Sequence, residues 1–199
     1  MRFVLASASP ARLKTLRAAG VEPEVVVSGV DEDAITAQSP TELVRALASA
    51  KAQAVAARLD GAVLLLGCDS MLQLGSDVLG KPESADEAVQ RWKLMRGRTA
   101  TLHTGHTLLA VQDKRITASL ERVASTEVRF AEVSDDEIQA YVGTGEPLQV
   151  AGAFTVDGLG GWFVESIAGD HHNVVGLSLP LLRRMLLELG YTVSDLPRR

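Results

Sequence analysis

A short polar run near the N-terminus has the composition of an anion-binding site. It reads Ser7, Ala8, Ser9, Pro10, Ala11 and Arg12, and it lies between a predicted strand and a predicted helix. Hydroxyl groups, the free N–H groups of a helix start and a first-turn arginine are groups that bind phosphate. The same residues also fit an ordinary helix start, in which Ser9 is the cap, Pro10 the first residue and Arg12 a solvated side chain. Both interpretations stay open.

Lys51 lies on the apolar face of a long predicted helix. At about 100° per residue, this face is shared by Leu43, Val44, Leu47, Val55 and Leu59. Burying an unpaired ammonium group is costly, so we expect Lys51 to meet an anion or to line a cleft. The alternatives are a structural ion pair and a side chain that extends its amine to solvent.

Carboxylates occur at two places where they could take part in chemistry. Asp69 follows residues 62–68, a strongly apolar stretch, and is expected at the carboxyl end of a buried strand. Ligands of open α/β sheets gather at such ends, so Asp69 suits a metal ligand or a general base, although Asp is also a common turn residue. Asp31, Glu32 and Asp33 offer oxygen ligands for Mg²⁺ or Mn²⁺, or form a solvated loop.

Other candidate motifs are weaker. Lys81 lies in a Gly-Lys-Pro turn that lacks the Ser or Thr of a Walker loop. Cys68 is the one cysteine, which excludes an intramolecular disulfide, and it is predicted to be a core residue. Residues 158–161 lack a dinucleotide fingerprint and predict a flexible turn. Residues 170–173 contain adjacent histidines, whose side chains point in different directions on a helix or strand, and this disfavours a shared metal ion.

Alternating strands and helices must position these side chains. Helices are predicted over residues 11–19, 40–59, 84–95, 134–142 and 181–189. Strands are predicted over residues 3–6, 24–28, 63–66, 71–74, 78–79 and 163–167, with long strands from 98 to 133 interrupted at 112–114. No repeat or long linker divides the chain. The pattern predicts a single α/β domain over residues 1–199, with a mixed sheet flanked by helices.

Composition narrows the classes of protein. The chain has 199 residues, of which 46% are hydrophobic and 23% charged, as in ordinary soluble proteins. A net charge of −5 excludes a generally basic nucleic-acid coat, and 4% aromatic residues disfavour stacking on single strands. Apolar runs are too short for a signal peptide or for a span of roughly 20 residues. We expect a cytoplasmic protein that binds neither nucleic acid nor membranes.

A series of short motifs, in this order and spacing, resembles the Maf family of nucleoside triphosphate pyrophosphatases, which is related in fold to the inosine triphosphate pyrophosphatases. The resemblance extends from Leu5 to about Pro180, and its motifs are LASASPAR (5–12), VDE (30–32), LASAKA (47–52), GCDS (67–70), GKP (80–82), GEPL (145–148), AGAF (151–154) and NVVGL (173–177). It implies an elongated central sheet, an active-site cleft between two lobes and a homodimer.

The resemblance also implies an activity. Members hydrolyse the α–β phosphoanhydride bond of (deoxy)nucleoside triphosphates to monophosphate and diphosphate with a divalent cation, Mg²⁺ or Mn²⁺, as house-cleaning of modified or selected nucleotides. By this resemblance Asp69 matches the catalytic carboxylate, and whether it is a general base or chiefly a metal ligand stays open. The accompanying residues are Lys51 and Lys81 as catalytic cations, Ser7, Ser9 and Arg12 around the phosphates, and Glu32 with Asp69 at the metal.

Ala11, Ser70 and Asp157 occupy the positions that separate the specificity branches of the family. Members that prefer dTTP and UTP carry Arg, Thr and Gln there, whereas the 7-methyl-GTP branch carries Trp, Gln and Glu. Ser70 leans toward the first branch, Asp157 toward the second, and Ala11 supports neither. Gln149 and Val150 also replace the Asp-Lys pair typical of the first branch. The preferred base therefore stays open.

Two other functions fit the same sequence. One is a non-catalytic nucleotide-binding regulator of cell division, and the other is a structural α/β interaction module. The joint presence of Asp69, Lys51 and Lys81 favours the enzyme, because binding alone needs no positioned base. A structural module would leave a lysine within an apolar face unexplained.

Overall fold

The apolar strands predicted near the N-terminus lie next to each other in a mixed β-sheet. The computed structural model describes residues 1–198. Strand β1 (Arg2–Ala6) pairs in parallel with β2 (Glu24–Val25) on one side and with β3 (Ala62–Leu74) on the other. Successive residues of β1 and β3 are buried, as expected for strands covered on both faces.

The remaining strands extend this sheet. They are β4 (Asp77–Leu79), β5 (Thr99–Gln112), β6 (Arg115–Phe130) and β7 (Val164–Ala168). Within residues 1–198 six of the seven strands follow the order β2-β1-β3-β5-β6-β7, and the seventh, β4, pairs antiparallel with β3. Asp113 and Lys114 connect β5 to β6 with φ angles of 48° and 66°, the left-handed backbone of a two-residue hairpin turn. The predicted mixed α/β fold is confirmed.

Serine residues begin the longer helices. Ser9, Ser39, Ser84, Ser134 and Ser178 each accept the backbone N–H of the residue three positions later, which satisfies a donor that the helix leaves unpaired. The helices are α1 (Pro10–Ala18), α2 (Pro40–Ala56), α3 (Ala85–Met95), α4 (Asp135–Gly143), α5 (His171–Val175) and α6 (Leu179–Glu188). Among the residues described, no helix combines the length and apolar character needed to cross a bilayer.

The chain forms two compact units. The first unit comprises residues 1–69, 104–124 and 176–198, and the second comprises residues 70–103 and 125–175. In the first unit, α6 covers one face of β1 and β3 through Leu182 and Met185, while α2 covers the other face through Ala52 and Val55. The side chains of both strands are thereby removed from water on both faces.

Trp92 is central to the core of the second unit. It is fully buried and makes edge-to-face contacts with Phe130, Tyr141 and Phe163, at centroid distances of 5.6, 5.5 and 5.6 Å respectively. Its indole N–H donates to the Ala153 carbonyl at 2.7 Å. The aromatic cluster therefore ties α3 to α4 and to the irregular segment around Ala153.

Candidate active site

Lys51 pairs with two carboxylates in the first unit. Its Nζ lies 2.8 Å from Glu32 Oε1 and donates a hydrogen bond to Asp69 Oδ1. Lys51 and Asp69 are both buried, whereas the Glu32 side chain is half exposed. Lys51 thus meets two anions, which fits both the expected cleft charge and a structural ion pair, whereas the alternative of an amine extended to solvent is wrong.

A close approach of α2 to the sheet determines the position of the Lys51 backbone, from which the side chain extends. A Cβ atom at Gly67 of β3 would collide with the Ala48 carbonyl oxygen and would lie 2.9 Å from the Ala52 Cβ. Gly105 of β5 is in the same position against the backbone of α2, where a Cβ atom would lie 2.8 Å from the Arg45 nitrogen. Glycine is required at both places, because any side chain would push the helix away. The helix backbone beside Lys51 is thus held directly on the strand that carries Asp69.

Asp69 lies within a strand rather than at its end. The sequence predicts a strand ending near Leu66, but β3 continues without interruption from Ala62 to Leu74. The reason is tertiary, since β4 pairs with the second half of β3 and keeps it extended. The neighbouring β1 does end here, because its last residue, Ala6, is in register with Gly67. Asp69 therefore lies just beyond the carboxyl end of β1.

Arg12 connects the polar run after β1 to β3 at Cys68, the residue next to Asp69. The buried guanidinium donates from Nε to the Gly176 carbonyl at 2.8 Å and from one terminal nitrogen to the Cys68 carbonyl at 2.9 Å. The same nitrogen donates to Ser7 Oγ at 3.1 Å. Ser9 caps α1 as predicted. The interpretation of Arg12 as a solvated side chain is wrong, since its fork reaches three separate segments.

The acidic loop contributes one residue to this cluster. Glu32 contacts Lys51, whereas Asp31 and Asp33 are exposed. The Glu32 carbonyl accepts the N–H of Ile35 at 3.2 Å, which makes a turn at this point. The loop is therefore solvated at its ends and contacts the buried lysine through its middle residue.

Cys68, next to Asp69, is a core residue as predicted. It is fully buried, and burial raises the pKa of its thiol to about 12. A thiol that stays protonated is a poor nucleophile and a poor metal ligand. Of these two neighbours, Asp69 is the one whose side chain suits a base or a metal ligand.

Glu32 and Asp69 form a donor set that fits a hard divalent cation. Mg²⁺ is commonly held by one or two carboxylates together with water and substrate phosphate oxygens, rather than by a complete protein cage. In the described residues, no group of three or more His, Cys, Asp or Glu side chains is arranged to hold a metal ion. The two carboxylates around Lys51 match the sparser pattern, so the residues present fit a magnesium-type ion completed by substrate.

Three other predicted site residues belong to the second unit. Lys81 is exposed and follows Gly80, whose carbonyl accepts from Arg91 at 2.6 Å and from the Gly152 N–H at 3.0 Å. Ser70 lies on β3, and Asp157 lies on an exposed loop. Gly80 is thus clamped by two donors, which holds the turn that carries Lys81.

Glu146 organises the loop that carries Asp157, a role the sequence did not reveal. Its carboxylate accepts hydrogen bonds from Thr155 Oγ1 at 2.6 Å, Tyr141 OH at 2.9 Å and the N–H groups of Leu159 and Gly160 at 3.0 Å. Partial burial alone would raise the pKa of Glu146, but these donors together lower it. The spacing of the GEPL motif carries no local signal for contacts made up to 14 residues away.

The predicted flexible turn at residues 158–161 is wrong. Residues Leu159–Phe163 form a 3₁₀ helix, and the Glu146 carboxylate receives its first two N–H groups. Trp162 projects from this helix and is 87% exposed. The glycines allow the close approach, because a Cβ at Gly158 would lie 2.7 Å from Thr155 Oγ1.

Within residues 1–198 the adjacent histidines belong to no group of three or more potential metal ligands. The rings of His171 and His172 are 5.5 Å apart and nearly perpendicular, and His172 Nδ1 lies 3.4 Å from Asp170 Oδ1. They lie in the short helix α5 of the second unit.

Comparison with known proteins identifies the family of the chain. The family model described as Maf-like protein matches residues 2–189. A protein of Streptomyces coelicolor named nucleoside triphosphate pyrophosphatase is 58% identical over 197 residues, which covers 98% of this chain and 94% of that protein. A protein of the same name from Thermosynechococcus vestitus is 53% identical, and the match covers 99% of this chain and 98% of that protein.

A solved structure supports the fold. The HAM1 protein of Coxiella burnetii matches with a TM-score of 0.50 and 19% identity, over 94% of this chain and 99% of that one. At this identity the match concerns the fold alone. The family model and the sequence relatives together cover nearly the whole chain, and the chain therefore belongs to the Maf family.

Proposed function

We propose that the chain is a nucleoside triphosphate pyrophosphatase that hydrolyses the α–β phosphoanhydride bond to release a nucleoside monophosphate and diphosphate. The observation that carries this proposal is the buried Lys51 between Glu32 and Asp69, beside the strand end that leads to Ser7 and Arg12. The names of the relatives at 58% and 53% identity support the same activity. House-cleaning of modified or selected nucleotides is the corresponding biological role.

Asp69 is the proton acceptor in this proposal. Hydrolysis adds one water molecule across the bond, and one proton of that water must be accepted as the new P–O bond forms. Asp69 is the buried carboxylate of the cluster, and Lys51 holds its Oδ1 in place. Protonation of Asp69 and departure of diphosphate complete the balance of the reaction.

Positively charged and N–H groups bind the phosphates. The start of α1, with Ser7 and Ser9, supplies hydroxyl and N–H donors, and Arg12 keeps this segment against β3. Lys51 and Lys81 supply point charges. Charge neutralisation and positioning carry most of the catalysis in phosphoryl transfer.

Glu32 and Asp69 would hold the divalent cation, Mg²⁺ or Mn²⁺. Members of this family generally depend on a metal ion. When bound, such an ion neutralises phosphate charge and lowers the pKa of a coordinated water. Glu32 is half exposed and lies in a loop, so it can adjust to an arriving ion, while Asp69 is fixed by its strand.

Ala11, Ser70 and Asp157 are the specificity positions in this proposal. The small side chain of Ala11 in α1 leaves space where family members of two branches carry Arg or Trp. We further propose one domain over residues 1–199, a homodimer and a cytoplasmic location without nucleic-acid or membrane partners. The family match over residues 2–189 supports the single domain.

Diphosphate release from a panel of canonical and modified nucleoside triphosphates, with and without Mg²⁺ or Mn²⁺, tests the activity. Replacement of the proposed proton acceptor, Asp69→Asn, should lower kcat by about 10²–10³-fold, the usual loss for one strong transition-state contact. Asp60→Asn removes the same charge from an exposed position and should leave kcat unchanged.

Near-normal diphosphate release by the Asp69→Asn variant would contradict the assignment of Asp69. Triphosphate binding by the wild-type chain without release of diphosphate, under every metal condition, would instead support the nucleotide-binding regulator.

A further inference from the structure

The ammonium group of Lys51 lies between the two carboxylates that would hold the divalent cation of the proposed function. Its Nζ contacts Glu32 Oε1 at 2.8 Å and also Asp69 Oδ1. A cation that bridged the same two oxygens would approach them from the same space. The two positive charges would then repel each other strongly, because Lys51 and Asp69 are both buried and solvent screens buried charges less than exposed ones.

The backbone of Lys51 belongs to a helix that lies directly on β3, because a Cβ atom at Gly67 would have no space against α2. Displacement of the ammonium group must therefore take place in the side chain. The lysine side chain is 10% exposed, and its stem has four carbons with free rotation. Displacement of the ammonium group therefore requires only a change of rotamer.

We propose that Lys51 and the divalent cation exclude each other from the Glu32–Asp69 pair, so that Lys51 transfers to the triphosphate when the metal enters. This inference depends on the proposed metal-dependent function. Lys51 compensates part of the carboxylate charge before the substrate arrives and part of the phosphate charge afterwards. The protein alone then binds the cation weakly, and the triphosphate promotes metal entry by accepting Lys51.

Titration of Mn²⁺ into the nucleotide-free protein, followed by calorimetry or by electron paramagnetic resonance, tests the exclusion. The Lys51→Met variant should bind Mn²⁺ about tenfold more tightly or better, because the two carboxylates lose their competing cation. Lys114→Met removes a lysine that pairs with Asp60 at the surface and should bind like the wild type. Glu32→Gln should weaken Mn²⁺ binding in the Lys51→Met background, which locates the ion.

Equal or weaker Mn²⁺ binding by Lys51→Met than by the wild type would overturn the proposal. A thermal melt shows whether the variant is folded, and Lys51→Gln provides a polar replacement if the methionine variant is not.

A measurement on the wild-type chain needs no variant. Acylation of lysines by a small reagent, read by mass spectrometry, should become faster at Lys51 at Mn²⁺ concentrations that the titration shows to occupy the site, whereas Lys114 should react at a constant rate. An unchanged or slower reaction at Lys51 would count against exclusion. The proposed function is tested separately, by diphosphate release from the wild-type enzyme.

Discussion

Arg12 shows how one side chain can fix the position of a whole cluster. Its guanidinium joins the segment after β1, the middle of β3 and the segment before α6 through Ser7, Cys68 and Gly176. Two of the acceptors are backbone carbonyls. A planar group with several donors in fixed directions can serve all three at once, and an ammonium group cannot.

The Arg12→Lys substitution should therefore lower the free energy of unfolding by about 1–3 kcal/mol, because it leaves buried carbonyl groups without a donor. Urea denaturation measures the change. Arg17→Lys is the matched control, since Arg17 pairs with Glu22 at the surface and its replacement should leave the free energy of unfolding near the wild-type value. Equal stability of the two variants would show that the hydrogen bonds of Arg12 do not stabilise the fold.

At the scale of elements, the contact between α2 and the sheet determines the geometry of the candidate site. Ala48 and Ala52 of α2 lie against Gly67, and Asp69 follows two residues later on the same strand. The side chain of Lys51 emerges between these contact residues. The distance from Lys51 to Asp69 is therefore set by how closely a helix backbone lies on a strand backbone.

Gly67→Ala should separate the two elements. The added methyl group would meet the Ala48 carbonyl oxygen and the Ala52 Cβ, and overpacking of this kind costs about 1–3 kcal/mol. We also expect a lower kcat, because a shifted α2 would carry Lys51 away from both the carboxylates and the phosphates that it is proposed to contact in turn. Urea midpoints and diphosphate release measure the two effects.

Gly143→Ala is the control for this substitution. A Cβ at Gly143 meets nothing within 4 Å, and the residue ends α4 in the second unit, so stability and activity should stay near wild type. Wild-type stability in the Gly67→Ala variant would show that α2 can shift without penalty.

Local signals explain which elements the sequence could predict. Ser9 and Ser84 start helices through contacts within three residues, and the turn at Gly75 reverses the chain between β3 and β4. The 3₁₀ helix Leu159–Phe163 depends instead on the distant Glu146 carboxylate. Periodicity cannot register such a contact, so the sequence predicts a flexible turn there.

The same distinction holds for the candidate site. The position of Lys51 on an apolar helix face is enough to predict an anionic partner. The identity of the partners, Glu32 and Asp69, could not be predicted in the same way. They lie in a loop and a strand at least 18 positions away along the chain, and no local pattern specifies contacts over that separation. Placement of Asp69 inside β3 depends on the pairing of β4, which is likewise a tertiary effect.

The net charge of −5 is compatible with a phosphate site because the charges are distributed unevenly. Lys51 and Arg12 are buried in the first unit, whereas many acidic residues are at the surface. An overall negative charge limits nonspecific binding to nucleic acids, and in the proposed function Lys51 turns from its two carboxylates to a single triphosphate.

Acid should destabilise the whole molecule through carboxyl groups whose pKa is lowered in the folded state. For Glu146, burial opposes this lowering, but its four hydrogen-bond donors outweigh burial and bring the pKa below its ordinary value of 4.5. The unfolded chain then binds a proton more readily than the folded one. This part of the stability is complete above pH 4.5 and is lost as the pH falls through the folded pKa.

The Glu146→Gln variant should therefore be less stable at neutral pH and should lose less further stability in acid. Thermal melts of wild type and variant across the acidic range measure both effects. Glu188→Gln, at an exposed position paired with Arg122, is the control and should follow the wild-type curve. Parallel acid curves for wild type and Glu146→Gln would rule out Glu146 as a source of the pH dependence.

The two tryptophans of the chain differ completely in their surroundings, and this has a spectroscopic consequence. Trp92 is enclosed by aromatic rings, whereas Trp162 is 87% exposed, and both belong to the second unit. Trp92 should emit at shorter wavelength and Trp162 at longer wavelength, and an aqueous quencher should reach only the latter. Intrinsic fluorescence therefore reports directly on the second unit, and circular dichroism is needed to follow the first.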